Sequence, residues 1–144
     1  MEKEFVTYEI ALELKKLGFE EPCHFAYTRA ARENLSKPQL FVELIDFNKD
    51  FTFVSAPIFQ QVFRWFEEKY SYFVDIRTDT TPNEILGFDY TIKSWKFPPM
   101  YFDFFKDKRE GNIAVIKKMI EMVKKEKQKE ALIELMDNDK DLDK

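Results

Sequence analysis

The chain has few of the residues that most recognisable active sites require. One cysteine, Cys23, and one histidine, His24, occur in 144 residues. A single chain therefore holds neither an internal disulfide nor a metal site built from several cysteines or histidines. Only three glycines are present, and their scattered positions exclude the glycine-rich loops that bind dinucleotides or nucleoside triphosphates. We expect no cofactor, no metal site and no catalytic residues.

Long apolar runs and an excess of positive charge are also missing. No window of about 18 residues is apolar and uncharged, so we expect no membrane-spanning segment. Residues 1–5 lack the basic start and apolar run of a secretory signal, so the expected location is the cytoplasm. The net charge of −4 argues against dominant binding to a phosphate backbone, which makes nucleic acid an unfavoured partner.

Aromatic residues, in contrast, are abundant: the chain has 16 phenylalanines, six tyrosines and two tryptophans. The segment from Ser55 to Tyr70 shows best how they are arranged. Its large apolar residues recur at the spacing of one helix face, at Phe59, Val62, Phe63, Phe66 and Tyr70. Ser55 is the expected N-cap and Pro57 suits the first turn. Such a wide aromatic face must be covered by other elements.

Capping, periodicity and turn signals predict the remaining elements. Thr7 precedes a helix over Tyr8–Leu17 that ends at Gly18, and Asp107–Glu110 has the spacing of a capping box ahead of a third long helix. Strands are predicted over Cys23–Thr28, Leu40–Phe47, Tyr72–Arg77 and Gly87–Phe97, with Phe51–Val54 as a hairpin arm and Pro98–Pro99 ending the last strand. This order predicts an α+β fold, in which a small, mostly antiparallel sheet of about four strands packs with three helices.

The chain shows no internal repeat and no interdomain linker. Residues 1–127 are predicted to form a single α+β domain, in which residues 29–39 are a polar connection. Residues 128–144 are predicted to form a charged tail, and the sequence leaves open whether that tail is partly helical or disordered.

Side-chain alternation along two predicted strands defines a candidate ligand-binding face. If Tyr72, Val74 and Ile76 face the helices, the intervening residues point to the opposite side of the sheet. That side would carry two rings and two cations, Phe73, Arg77, Lys93 and Trp95, together with Asp75, Thr91 and Phe97. Rings beside cations suit stacking of a nucleotide-like molecule or docking of a protein. The alternative is that the third helix or another subunit covers this face.

The polar side of the central helix is a second candidate surface, for partner binding. It includes Gln61 and Arg64, and Arg64 beside Trp65 is the residue pair best suited to anchor an interface. A solvated helix face is the alternative. Cys23 and His24 do not form a nucleophile–base pair, because adjacent strand residues point to opposite faces. Cys23 is instead expected to be a buried small hydrophobe.

Two stretches of the chain resemble a known family. Glu4–Cys23 and Ala56–Tyr70 are similar, as sequence strings, to small uncharacterised proteins that phages and mobile elements of Bacteroidetes-type bacteria encode. Ile113–Lys125 is similar to that family's closing helix. The family has no established activity, so the resemblance carries over no functional residue. It implies a habitat: an accessory protein of viral origin that acts inside a bacterium.

The sequence supports binding better than catalysis. The leading hypothesis is a non-catalytic phage accessory or counter-defence protein that sequesters a nucleotide-like ligand or masks a host protein, with homo-oligomer formation left open. One alternative is a module for single-stranded nucleic acid that uses the same sheet face. A further alternative is a magnesium-dependent enzyme, whose converging carboxylates the sequence does not locate.

Overall fold

The computed structural model describes residues 4–28 and 38–142. Most of the predicted polar connection, residues 29–37, lies outside the described residues. Within the described ranges the chain forms three helices and six strands. The helices are α1 (Tyr8–Lys16), α2 (Phe59–Tyr70) and α3 (Lys108–Leu142), and the strands are β1 (Cys23–Thr28), β2 (Gln39–Ile45), β3 (Phe53–Ser55), β4 (Phe73–Thr80), β5 (Ile85–Ser94) and β6 (Phe97–Tyr101).

The predicted α+β class is confirmed, but the strands of the described residues form two antiparallel sheets instead of one. The strand orders are β2-β1-β3 and β4-β5-β6. The predicted hairpin arm at Phe51–Val54 is wrong, because β3 pairs with β1, where Tyr27 lies opposite Val54, and not with the preceding β2. The short helical turn at Phe47–Lys49 directs the chain past β2 to the far side of β1.

Strand β6 contains two prolines that were expected to end a strand. The chain reverses at Trp95 and Lys96, and β6 then pairs with β5, so that Tyr101 lies opposite Thr91. The prediction for Pro98 and Pro99 is wrong because β6 is an edge strand of its sheet. An edge strand tolerates proline, since one of its sides needs no ladder hydrogen bonds.

The ends of α1 follow the local signals in the sequence. The Thr7 hydroxyl oxygen accepts a hydrogen bond from the backbone N–H of Ile10 at 3.3 Å. At the other end Gly18 has a φ of +90°, a conformation that glycine adopts at little cost. The N–H of Phe19 then donates to the carbonyl of Leu14 at 3.0 Å. The predicted cap and the predicted stop signal are both confirmed.

Helix α2 begins later than predicted, and Ser55 is not its N-cap. Ser55 ends β3, and its backbone N–H donates to the side-chain oxygen of Asn48 at 2.9 Å. Ile58 is extended and forms a bridge with Phe5, so the helix starts only at Phe59 and has no side-chain cap. The tertiary bridge overrides the local capping signal.

Stacked and tilted rings make up much of the core, as the composition indicates. Trp65 of α2 lies 5.4 Å from Phe19 and 5.0 Å from Phe66, measured between ring centroids. Phe66 stacks on Tyr72 at 6.3 Å, and Tyr72 contacts Phe97 at 5.5 Å. This chain of rings connects the end of α1, through α2, to the sheet β4-β5-β6.

Helix α3 lies unusually close to β5. The Tyr90 ring is buried, and its hydroxyl lies 2.9 Å from the Lys108 carbonyl and 2.8 Å from Oδ1 of Asn112, two acceptors that share its single proton. Gly111 faces this ring: a Cβ atom at that position would lie 2.8 Å from the Tyr90 hydroxyl and overlap the ring carbons. Glycine therefore permits the close approach of helix and sheet.

We expect Gly111→Ala to lower the free energy of unfolding by about 1–2 kcal/mol. Alanine favours a helix over glycine by about 1 kcal/mol, but overpacking a filled core costs about 1–3 kcal/mol and here also disturbs the Tyr90 hydrogen bonds. Urea denaturation measures the difference. Gln128→Ala, at an exposed position of the same helix, is the matched control and should change stability by less than about 0.5 kcal/mol. A Gly111→Ala variant as stable as the wild type would contradict the close contact.

Candidate functional site: the outer face of the second sheet

The outer face is the surface of the sheet β4-β5-β6 that points away from α3. Tyr90 and Ile92 are buried on the inner side, where α3 packs. The residues that alternate with them point outward, in the cross-strand pairs Phe73–Lys93, Asp75–Thr91, Arg77–Asp89 and Thr91–Tyr101. The predicted alternation of both strands is confirmed, and the described part of α3 does not cover this face.

Large rings on and beside the outer face are open to solvent. Phe73 is 48% exposed and Tyr101 79%, and Trp95, at the end of the face, is 82% exposed. Trp95 lies in the turn between β5 and β6, where the Lys96 ammonium is 5.8 Å from its ring centroid. A fourth ring, that of Phe104, lies against Gly87 near the far end of β5. These are the side chains through which the face can make apolar or stacking contacts.

Phe97 was predicted on this face and is not there. It belongs to β6, beyond the turn, and its ring packs on Tyr72 at 5.5 Å on the core side of the sheet. The reversal at Trp95 and Lys96 resets the alternation, so the parity of β5 does not extend to β6. Tyr101, opposite Thr91, takes an outward position that the sequence did not predict, because Pro98 and Pro99 indicate the end of the strand.

Both cations of the outer face are paired with carboxylates. The Lys93 ammonium lies 2.5 Å from Oδ2 of Asp75, and this hydrogen bond raises the pKa of Lys93. The Arg77 guanidinium Nε lies 3.5 Å from Oδ1 of Asp79. Asp89 adds a third carboxylate to Asp75 and Asp79, so the face carries three carboxylates and two cations. The face has rings and balanced, slightly acidic charge, which suits a mixed polar and apolar partner better than a polyanion.

The second predicted surface, on α2, is corrected by the structure. Trp65 is only 5% exposed: it packs in the core beside Phe19 and under the Lys69 ammonium, 5.2 Å from its ring. It therefore cannot join Arg64 as an exposed anchor pair. Arg64 is exposed, and Gln61 is already engaged, because its amide donates to the Pro22 carbonyl at 2.9 Å.

Gln61 and Arg64 line a cleft of about 350 Å³ together with Cys23 and His24. The Cys23 thiol is buried, and burial raises its pKa to about 12, so it stays protonated and is a poor nucleophile at neutral pH. His24, the next residue of β1, is exposed, whereas Cys23 is buried.

Residues 4–28 and 38–142 contain neither a cluster of metal-binding side chains nor a membrane-spanning helix. No group of three or more histidine, cysteine, aspartate or glutamate side chains there is arranged to hold a metal ion. No helix in these ranges combines the length and apolarity needed to cross a membrane.

Comparison with known proteins adds no assignment to the site. No protein-family model matches the chain, and no curated protein or solved structure is similar enough to count as a match. The interpretation of the outer face therefore depends on its own geometry and chemistry.

The two tryptophans should respond oppositely to truncation. We expect Trp65→Ala to lower the free energy of unfolding by about 3–5 kcal/mol, because it leaves a cavity among packed rings. Trp95→Ala should change it by less than about 0.5 kcal/mol, because the ring is exposed. Urea denaturation of both variants measures the contrast, and a large loss of stability in Trp95→Ala would contradict its assignment to a free surface.

The carboxyl pair Asp79–Asp89 should give the outer face a pH-dependent contribution to stability. A hydrogen bond that protonated Asp89 donates to the Asp79 carboxylate raises the pKa of Asp89 above its usual 3.8. A raised pKa in the folded state means that this contribution is present at low pH and is lost as the pH rises through that pKa. Asp89→Asn should therefore be more stable than the wild type at neutral pH, and the gain should disappear in acid.

Urea denaturation at a series of pH values measures this difference between Asp89→Asn and the wild type. Asp103→Asn removes an exposed aspartate outside the pair and serves as the control, with no comparable gain expected. If Asp89→Asn and Asp103→Asn follow the same pH dependence, Asp79 and Asp89 do not interact.

Proposed function

We propose that this chain is a non-catalytic binding protein that docks on another protein through the outer face. The observation that carries this proposal is the exposure of Phe73 and Tyr101 on one open sheet surface, with Trp95 at its end. Exposed aromatic clusters are uncommon on monomers that bind nothing. Tyrosine, tryptophan and phenylalanine are enriched where proteins recognise each other.

The shape of the face supports a protein partner over a small ligand. Ligands of nucleotide size usually bind in concave pockets that enclose most of their surface. Four clefts of about 280–560 Å³ indent the described surface, and none of these four is lined by Phe73, Lys93, Trp95 or Tyr101. An open sheet surface matches the flat contact areas through which proteins dock.

The charges of the face also support a protein partner. A nucleotide phosphate needs cations that are free to neutralise it, whereas Lys93 and Arg77 are already paired with Asp75 and Asp79. The same pairing weakens the case for single-stranded nucleic acid. A protein surface with apolar groups among mixed charges can exchange these ion pairs without leaving a net charge unpaired.

The resemblance to proteins of phages and mobile elements supplies the biological setting of the proposal. In that setting the partner is a host protein in the bacterial cytoplasm, and the small protein masks a surface of it. Phe73, Trp95 and Tyr101 are the apolar anchors, while Asp75, Arg77 and Lys93 set orientation and specificity.

Replacement of the exposed rings should abolish partner capture without unfolding the protein. We expect a bait with Phe73→Ser, Trp95→Ser and Tyr101→Ser to lose at least about tenfold of a partner that the wild-type bait enriches from a bacterial lysate, since aromatic hot spots contribute about 2 kcal/mol or more each. Quantitative mass spectrometry measures the loss. Phe51→Ser removes an equally exposed ring outside this sheet and is the matched control.

Two results would contradict the proposal. One is a partner that the triple variant retains as well as the Phe51→Ser control does. The other is a nucleotide that raises the melting temperature of the wild type but not of the triple variant, because this would assign the face to a stacked small ligand.

A further inference from the structure

The C-terminal part of α3 extends beyond the body of the protein. The helix has 35 residues, which corresponds to about 52 Å at 1.5 Å per residue. Its first half packs on the domain and buries Val115, Ile116, Met119 and Val123. From residue 127 to residue 139 every position is exposed. We call residues 127–142 the distal segment.

The distal segment carries an apolar face that the domain does not cover. Four large side chains are each 53–63% exposed: Leu132, Ile133, Leu135 and Met136. Leu132 follows Val123 by nine residues, which is two and a half turns at 3.6 residues per turn. The apolar face of the distal segment therefore points away from the side of α3 that packs on the domain.

Positive and negative charges occupy different stretches of this part of α3. Lys125, Lys127 and Lys129 come first, and residues 130–139 then contain Glu130, Glu134, Asp137 and Asp139 with no cation. A helix is stabilised by cations, not anions, near its C-terminus, because of the helix dipole. The last turn of α3 holds Asp139, Lys140 and Asp141, so its net negative charge brings the isolated helix no benefit from the dipole. The order of lysines before carboxylates is, in contrast, complementary to the same helix running in the opposite direction.

We propose that the distal segment pairs antiparallel with the distal segment of a second copy of this chain. Centred on residue 134, the pairing sets Leu132 of each copy beside Met136 of the other, while Ile133 and Leu135 flank this contact on its two sides. The same register brings Lys129 beside Asp139 at both ends of the apolar contact. A parallel pair would instead align lysines with lysines and aspartates with aspartates, which is repulsive.

The spacing of these residues along the helix fits one continuous seam. Lys129, Leu132, Met136 and Asp139 follow each other at intervals of three or four residues, so they lie on one side of the helix with the charges at the two ends. Antiparallel pairing also opposes the two helix dipoles. An acidic segment of this kind does not suit a membrane surface, because anionic lipids repel its carboxylates.

The proposal is tested first by the mass of the full-length protein in solution. Multi-angle light scattering should show a shift from 17.4 kDa for one chain toward about twice that mass as the concentration rises from about 10 µM to about 1 mM, because interfaces of less than about 1,200 Å² form weak complexes. A protein that remains a monomer throughout this range overturns the proposal.

Leu132→Gln with Leu135→Gln tests the apolar contact. Glutamine keeps helix propensity close to that of leucine, so the variant should keep its helix content by circular dichroism and lose the dimer. Lys127→Gln changes the opposite side of the distal segment and should leave the dimer unchanged. A dimer that survives the double glutamine variant overturns the proposal, because its interface then lies elsewhere on the protein, for example on the outer face.

A charge exchange tests the antiparallel register. Lys129→Glu and Asp139→Lys should each weaken the dimer by about five- to tenfold, since each creates two repulsive contacts of the strength expected at a surface. The chain that carries both substitutions should recover wild-type affinity in an antiparallel pair, because Glu and Lys then face each other again. Failure of the double variant to recover overturns the register and with it the proposal.

Discussion

The close approach of α3 to β5 is the constraint on which the rest of the structure depends. Gly111 lets the helix backbone lie against the Tyr90 ring, and the Tyr90 hydroxyl donates to the Lys108 carbonyl and to Oδ1 of Asn112, near the start of the helix. This contact commits α3 to the inner face of the sheet. It leaves the opposite face open, and it sets the direction in which the remainder of α3 leaves the domain. The two surfaces to which we assign functions, the outer face and the distal segment, both follow from this contact between α3 and β5.

Local signals in the sequence predicted much of the fold because short-range physics fixes it. The cap at Thr7, the left-handed residue at Gly18 and the alternation that turns Phe73 outward depend only on neighbouring residues. The predictions that were wrong concern contacts between residues that are far apart in sequence. No local pattern states that β3 pairs with β1, or that a bridge between Phe5 and Ile58 delays the start of α2.

The candidate site shows the same division. Alternation along single strands identified Phe73 and Lys93 as neighbours on one face, but it could not reveal that Asp75 holds the Lys93 ammonium, because this requires the register between strands. The prediction that Trp65 lies on the exposed side of α2 was wrong, because helical periodicity does not show which other element packs against a given ring. The sequence did not predict the outward position of Tyr101, because Pro98 and Pro99 argued against a strand at that point.

Pro98 and Pro99 give β6 a property that concerns chains in contact with one another. A free sheet edge offers unpaired N–H and C=O groups to any other strand, and this is how many proteins polymerise into fibrils. Proline supplies no N–H, so this border of the sheet resists extension by a foreign strand. The exposed rings beside β6 therefore remain available for side-chain contacts, while backbone pairing along this border is disfavoured. The opposite border, β4, contains no proline and has no such protection.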